Sequence, residues 1–249
     1  MLRRLRDFET WDVYSNEGQD LGTVEDCYFD DEKWTIRYVV LRTGNWLTGR
    51  SVLVSPMSVD RVQWGEARFW LGLTPDQIKG APDADLARPI SRQWEANYSA
   101  YYGIPYYWPG PAVWGVGPTP YVARTAPQAA NPQRDYSPEQ QHLRSAREVT
   151  GYHIHARDGE IGHVEDFLVD DESWTIRYVM VDTSNWIGGR TVLIAPEWTE
   201  HIEWTAQRMY VDATKEEIKN SPEYHPGAET DRRYYKELAD LYRRPVRPI

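Results

Sequence analysis

Two acidic turns are the first place where this chain could do chemistry. Their carboxylate runs are Asp30-Asp31-Glu32 and Asp170-Asp171-Glu172. Calcium and magnesium bind several oxygen ligands, so such runs are candidate cation sites. The EF-hand spacing is absent, however, and paired aspartates are ordinary in hairpin turns. We therefore expect solvated turns and no metal. The aspartates retained as weak metal candidates are Asp30, Asp31, Asp170 and Asp171.

Two histidines offer an alternative metal site. His153 and His155 project to the same face if they lie on a strand, and this spacing can ligate zinc. Their counterparts in the internal repeat described below are Asp12 and Tyr14, which do not reproduce the pair. The favoured interpretation is therefore a solvated strand face.

Catalytic motifs are missing from the sequence. It contains no nucleophile elbow, phosphate-binding loop, HExxH motif or dinucleotide-binding fingerprint. We therefore expect a protein that is not an enzyme and that needs no cofactor.

Aromatic side chains are the stronger candidates for function. Trp46 and Trp186 lie in glycine-containing loops, where a tryptophan either folds back as a lid or anchors a partner. A segment rich in proline and glycine carries further candidates, and it either lies on a barrel surface or is exposed and adhesive. The candidate partner contacts there are Tyr106, Tyr107, Trp108 and Trp114.

The chain contains a long internal repeat, which fixes its organisation. At an offset of 140, 27 of the 61 positions from Gly22 to Pro82 are identical. A repeat of this length is a whole domain, so we predict two copies of one fold. The predicted boundaries are 1–105 for the first copy, 106–139 for an extended linker, and 140–249 for the second copy.

Each copy is predicted to contain several short strands followed by two helices. In the strand beginning at Trp34, β-branched and aromatic residues alternate, and this pattern predicts that Thr35 and Arg37 lie on a solvated face. Capping boxes at Thr74 and Thr214 predict a short helix in each copy. A second, amphipathic helix follows in both copies. Short strands at roughly ten-residue spacing predict a small barrel or sandwich.

Charge and composition narrow the class of protein. The net charge is -10, and residues 149–222 alone hold 14 acids and 6 bases, which is 6 - 14 = -8. This acidity disfavours binding to nucleic acid, because phosphate neutralisation requires Lys and Arg. Cys27 is the only cysteine, and its counterpart Phe167 indicates a buried apolar position. No signal peptide or membrane span is expected, and the predicted location is cytoplasmic.

The order of these elements resembles a known family, the PRC-barrel. The matching stretches are Gly18 to Pro56 in the first copy, and Gly159–Asp166, Trp174–Val181 and Arg190–Pro196 in the second. Similar barrels form the cytoplasmic domain of the reaction-centre H subunit and the C-terminal domain of a bacterial 16S rRNA processing factor. The resemblance implies a mainly β fold with two small SH3-like barrels, each followed by a short helix and a C-terminal amphipathic helix.

The resemblance also implies a barrel that docks onto macromolecular partners. We therefore expect a bacterial tandem PRC-barrel module that mediates protein-protein interaction or assembly, with an unnamed protein partner. Its two barrels could pack together as an intramolecular pseudo-dimer. The alternatives are a small-ligand or metal-binding regulatory protein and, by analogy of fold alone, a role in RNA or ribosome maturation.

Overall fold

The chain forms two compact units, each built mainly from one repeat. The computed structural model describes residues 1–86, 90–125, 142–184, 189–227 and 232–242. The first-repeat unit consists of Asp7–Ala146 together with Glu172–Thr175. The second-repeat unit consists of Met1–Arg6, Arg147–Asp171 and Ile176–Ile249. Both units are therefore discontinuous in sequence, which the repeat boundaries did not predict.

The described secondary structure is mainly β. The strands are β1 (Leu2–Arg4), β2 (Asp12–Tyr14), β3 (Asp20–Asp30), β4 (Thr35–Thr43), β5 (Ser51–Val54), β6 (Val59–Gln63), β7 (Arg68–Leu71), β8 (Leu143–Ser145), β9 (His153–Ala156), β10 (Gly159–Asp170), β11 (Ile176–Asp182), β12 (Thr191–Ile194), β13 (Thr199–Glu203) and β14 (Arg208–Val211). The helices are α1 (Pro75–Lys79), α2 (Arg92–Tyr102), α3 (Pro120–Arg124), α4 (Ala146–Val149), α5 (Lys215–Lys219) and α6 (Arg232–Tyr242).

Each unit contains one seven-stranded sheet with the same strand order. In the first-repeat unit the order is β5-β4-β3-β2-β7-β6, and in the second-repeat unit it is β12-β11-β10-β9-β14-β13. The pairs β2–β7 and β9–β14 are parallel, and the other pairs are antiparallel. The sequence-based prediction of two small barrels with appended helices is confirmed in this architecture.

A short strand from the other repeat completes each sheet. Strand β8 begins the second repeat, but it pairs with the C-terminal end of β3 in the first-repeat unit. Strand β1 begins the first repeat, but it pairs with β10 in the second-repeat unit. In the first-repeat unit, β8 pairs with β3 on the side that β2 also occupies, but farther along the strand. In the second-repeat unit, β1 and β9 share one side of β10 in the same way. The exchange therefore covers backbone groups of the long central strands that would otherwise form an open edge.

The two exchanges are equivalent in register. Leu2 lies opposite Asp170, and its counterpart Leu143 lies opposite Asp30. One ion pair also repeats: the Nε of Arg3 lies 3.2 Å from Asp171, and the Nε of Arg144 lies 3.2 Å from Asp31. The acidic turns therefore hold the exchanged strands through arginine pairs.

The tryptophans before β4 and β11 differ from the prediction. Both have left-handed backbone conformations, with φ of 50° at Trp34 and 59° at Trp174, so they end turns and do not begin strands. Trp34 is half-buried and stacks on Phe29 at 5.4 Å between ring centroids. Trp174 is buried in the first-repeat unit, 5.9 Å from the ring of Phe8. The repeated tryptophans thus occupy unlike environments, whereas two copies of one fold would be expected to bury equivalent residues.

The predicted helices form as the capping signals indicate. The side chains of Thr74 and Thr214 cap α1 and α5 in complete capping boxes. Ser91 caps α2 by accepting a hydrogen bond from the backbone of Trp94. Helix α2 then packs on the barrel through Tyr98, which is fully buried 5.0 Å from the ring of Tyr38. Among the described residues, no helix is long and apolar enough to cross a membrane.

The exchanged strands predict that the two halves of the chain stay together after cleavage. We expect a chain cut at a protease site inserted between residues 126 and 141 to elute as one complex in size-exclusion chromatography. The reason is that each fragment contributes a strand to the other fragment's sheet. Removing residues 1–6 should weaken the complex, because the second-repeat unit then loses β1. Elution of two separate folded fragments would contradict the exchange.

Candidate functional site

A buried arginine lies at the centre of the most elaborate side-chain arrangement in the first-repeat unit. Arg37 lies on β4, and its Nη2 is 3.1 Å from a carboxylate oxygen of Asp30, at the end of β3. Both side chains are inaccessible to solvent, at 0% and 2% exposure. The prediction that Thr35 and Arg37 face solvent is therefore wrong, since both residues are buried.

Two aromatic rings from the proline-rich segment cover this arginine. The Cζ atom of Arg37 lies 3.9 Å from the ring centroid of Tyr107 and 4.8 Å from that of Trp114. Its Nε and Nη1 are buried and have no hydrogen-bond partner. The rings stabilise the guanidinium through cation–π interactions, which become stronger when water is excluded. The segment thus closes a site that the barrel alone would leave open.

A second arginine ties the same segment to helix α2. Arg92 Nη1 lies 2.8 Å from a carboxylate oxygen of Glu95, and it donates to the hydroxyl of Tyr107 at 2.6 Å. That hydroxyl donates to the other oxygen of Glu95 at 2.5 Å. Burial raises the pKa of the Tyr107 hydroxyl, and Glu95 adds to the effect, so the group stays protonated and can donate.

The segment is also held through its backbone. Lys33 Nζ donates to the carbonyls of Gly110 and Ala112 at 3.1 and 2.9 Å, and Trp114 Nε1 donates to the carbonyl of Ser173 at 2.6 Å. Burial lowers the pKa of Lys33, and the charge on Arg37 acts in the same direction. A Cβ atom at Gly110 would lie 2.0 Å from the carbonyl oxygen of Gly115, so this close turn requires glycine.

The aromatic residues selected as candidate partner contacts differ in how much of each side chain is exposed to solvent. Tyr106, Tyr107 and Trp114 are buried, at 7%, 5% and 1% exposure. Packing on a barrel surface is therefore the alternative that the structure shows for this part of the proline-rich segment. These three rings offer little exposed surface for a partner, contrary to their selection as partner contacts.

The remaining aromatic candidates are less buried. Trp108 is half-buried against Tyr106, at 4.7 Å between ring centroids. Trp46 is half-buried and donates from Nε1 to the carbonyl of Leu21 at 3.0 Å, so it folds back like a lid. Trp186 lies outside the described residues.

The candidate metal ligands have other partners. Asp31 and Asp171 pair with Arg144 and Arg3, and Asp30 and Asp170 pair with the strand arginines Arg37 and Arg177. His153 and His155 both approach one carboxylate, that of Glu160, at 2.8 and 3.4 Å. Within the described part of the chain, no group of three or more His, Cys, Asp or Glu residues could hold a metal ion.

In the second-repeat unit, no ring among the described residues lies against the equivalent arginine, Arg177. Arg177 and Asp170 pair at 2.9 Å, as their counterparts do, but their side chains are 29% and 23% exposed. Tyr235 replaces Glu95 at the equivalent helical position and stacks on Tyr178 at 5.4 Å. The two units therefore present one closed and one open version of the arginine site.

Sequence reasoning missed the arginine site, although one signal was present. Arg37 and Arg177 occupy the same repeat position in a strand, and each follows an aspartate by seven residues. The alternation of residue types along the strand predicted a solvated face for Arg37. That pattern contains no information about the distant segment that covers this face. Glu95 on α2 was likewise not singled out, since two of its partners, Tyr38 and Tyr107, lie outside the helix.

This architecture defines a tandem of two small β-barrels with helical extensions, and comparison with known families identifies the class. The model of the PRC-barrel domain matches residues 2–66 and 143–218. The matches cover more than half of the chain, which therefore belongs to the PRC-barrel family. They also begin at the exchanged strands β1 and β8. Among curated proteins, none matches the chain.

The hydroxyl of Tyr107 can be tested without removing its ring. In Tyr107→Phe, we expect the free energy of unfolding to fall by about 1–3 kcal/mol, because the buried carboxylate of Glu95 loses a charge-assisted hydrogen bond. Urea unfolding followed by fluorescence measures this change. The control is Tyr121→Phe, since Tyr121 is 66% exposed and should tolerate the substitution. Equal stability of both variants would contradict the described network.

Cys27 provides a test of barrel burial. The thiol is 3% exposed, and burial raises its pKa well above 9.0, with Asp26 and Glu9 adding to the effect. Because the thiolate is the reactive form, we expect no reaction with Ellman's reagent in the folded protein at neutral pH. Stoichiometric reaction in urea is the control. Rapid reaction of the folded chain would show that the barrel interior is accessible.

Proposed function

We propose that this PRC-barrel protein is a non-enzymatic module for protein-protein interaction or assembly. The observation that carries the proposal is the way in which the first-repeat unit holds residues 106–114. It binds this segment of the chain by packing two aromatic rings against a buried arginine and by donating to backbone carbonyls. Proteins also recognise extended peptides from partners through aromatic contacts and hydrogen bonds to the backbone.

The distribution of polar groups also supports binding over catalysis. The buried charges of the first-repeat unit are paired: Arg37 with Asp30, and Arg92 with Glu95. Paired buried charges stabilise an arrangement when both partners are present, whereas a catalytic group must meet a substrate. These groups contact one another and the covering segment. The site is therefore built to hold a peptide in place.

The interaction function predicts a specific protein partner. We expect the tagged chain, incubated with extract of its source cells at near-physiological salt, to retain a protein in stoichiometric amount. Purified partner and purified chain should then form a complex with a measurable dissociation constant. The matched control is the chain unfolded and immobilised at the same density. Recovery of no protein above this control would contradict an interaction module.

A further inference from the structure

Within the described residues, the second-repeat unit leaves partly exposed the arginine that the first-repeat unit covers with its own aromatic segment. We propose that the site around Arg177 binds a segment of a partner protein that carries a Tyr or Trp beside proline or glycine. This inference rests on the proposed interaction function and identifies its binding surface and the chemistry of its ligand. The occupant is inferred from the internal repeat, because the equivalent site shows what fits there.

The arginine–aspartate pair of the site is present in both units. The Arg–Asp distances are 3.1 Å for Arg37 and 2.9 Å for Arg177, and both arginines lie on the strand that pairs with the long central strand. A buried tyrosine follows each arginine, Tyr38 in one unit and Tyr178 in the other. The orientation of the guanidinium is therefore set by the carboxylate before any ring binds.

The two sites differ in their solvent exposure. The side chain of Arg37 is fully covered, whereas that of Arg177 is 29% exposed. Tyr178 follows Arg177 on β11, and its buried ring is stacked on that of Tyr235 at an interplanar angle of 25°. An incoming ring would meet the exposed part of the Arg177 guanidinium, which favours a cation–π contact.

At the repeat offset, Tyr106, Tyr107 and Trp108 correspond to Val246, Arg247 and Pro248, and none of these three has an aromatic ring. The acidity of the second repeat, 6 - 14 = -8 over residues 149–222, further favours a neutral or basic segment.

Tyr235 makes the open site different from the closed one. In the first-repeat unit, Glu95 accepts a hydrogen bond from the hydroxyl of Tyr107. A phenol ring replaces that carboxylate in the second-repeat unit, so the bound ring no longer needs a hydroxyl donor. Tryptophan should therefore bind at least as well as tyrosine. The closed site, in contrast, uses a tyrosine whose hydroxyl contacts both Glu95 and Arg92.

The proposal can be tested with a peptide taken from this chain. The probe is a fluorescent peptide of residues 104–117, and fluorescence anisotropy measures its binding to the full chain. We expect saturable binding that weakens about tenfold in Arg177→Gln, because the variant loses the cation–π contact. Arg157→Gln is the matched control, since Arg157 is exposed in the same unit and pairs with Asp212 and Glu217. It should bind as the unsubstituted chain does.

Two further measurements locate the binding site and control for folding. A peptide with a photo-reactive phenylalanine in place of Tyr107 should cross-link to β11 or α6, and a peptide with alanine in place of its four aromatic residues should not bind. Circular dichroism and thermal unfolding establish that Arg177→Gln is folded. If that variant does not fold, Arg177→Lys keeps the charge and should still weaken binding, because lysine lacks the planar guanidinium.

Several results would overturn the proposal. These are absence of saturable binding, equal binding by Arg177→Gln and the unsubstituted chain, or cross-links confined to the first-repeat unit. They are distinguishable from failure of the proposed function. A natural partner that binds Arg177→Gln without loss leaves the interaction function standing and removes this site, whereas the absence of any partner removes the function itself.

Discussion

The enclosure of Arg37 is the constraint on which much of the first-repeat unit depends. A guanidinium that is 0% exposed is costly unless its charge is balanced, and Asp30 supplies the opposite charge at 3.1 Å. Two nitrogens of Arg37, Nε and Nη1, have no hydrogen-bond acceptor, and the rings of Tyr107 and Trp114 lie against the group. The covering segment therefore forms part of the buried interior of this unit. Removing the segment would expose the arginine and the aromatic interior together.

The need to cover the buried arginine also accounts for the structural difference between the two repeats. The strand arginine, its aspartate and the tyrosine that follows are common to both repeats, as are the exchanged strands. The residues at the repeat offset from Tyr106, Tyr107 and Trp108 are Val246, Arg247 and Pro248, which are not aromatic. Glu95 of the first repeat is Tyr235 in the second. These differences turn one inherited site into a closed structural element and an open candidate binding surface.

The sequence predicted the repeated fold well because its signals are local. Capping boxes, turn glycines and strand patterns depend on neighbours within a few residues. Because the chain contains two repeats, each element is predicted independently from two stretches of sequence. The strand exchange was not predictable in this way. Leu2 and Leu143 match at the repeat offset in either arrangement, and pairing partners more than a hundred residues away leave no local pattern.

The site was less predictable than the fold for the same reason. Alternation placed Arg37 on a solvated face, but the proline-rich segment covers that face from about 70 residues away. The aromatic residues of the segment were selected as candidate partner contacts, because the pattern assigned to solvent the arginine that buries them. The sequence therefore drew attention to the covering segment but not to the surface of the barrel that it covers.

The most direct test of the difference between the two sites is the solvent exchange of the arginine side chains, measured by NMR on the full chain. Arg37 should show an Nε–H resonance that persists in slow exchange, because the group is buried beneath two rings. Arg177 should exchange faster, since its side chain is 29% exposed. Equal exchange rates at Arg37 and Arg177 would contradict a closed site in one repeat and an open site in the other.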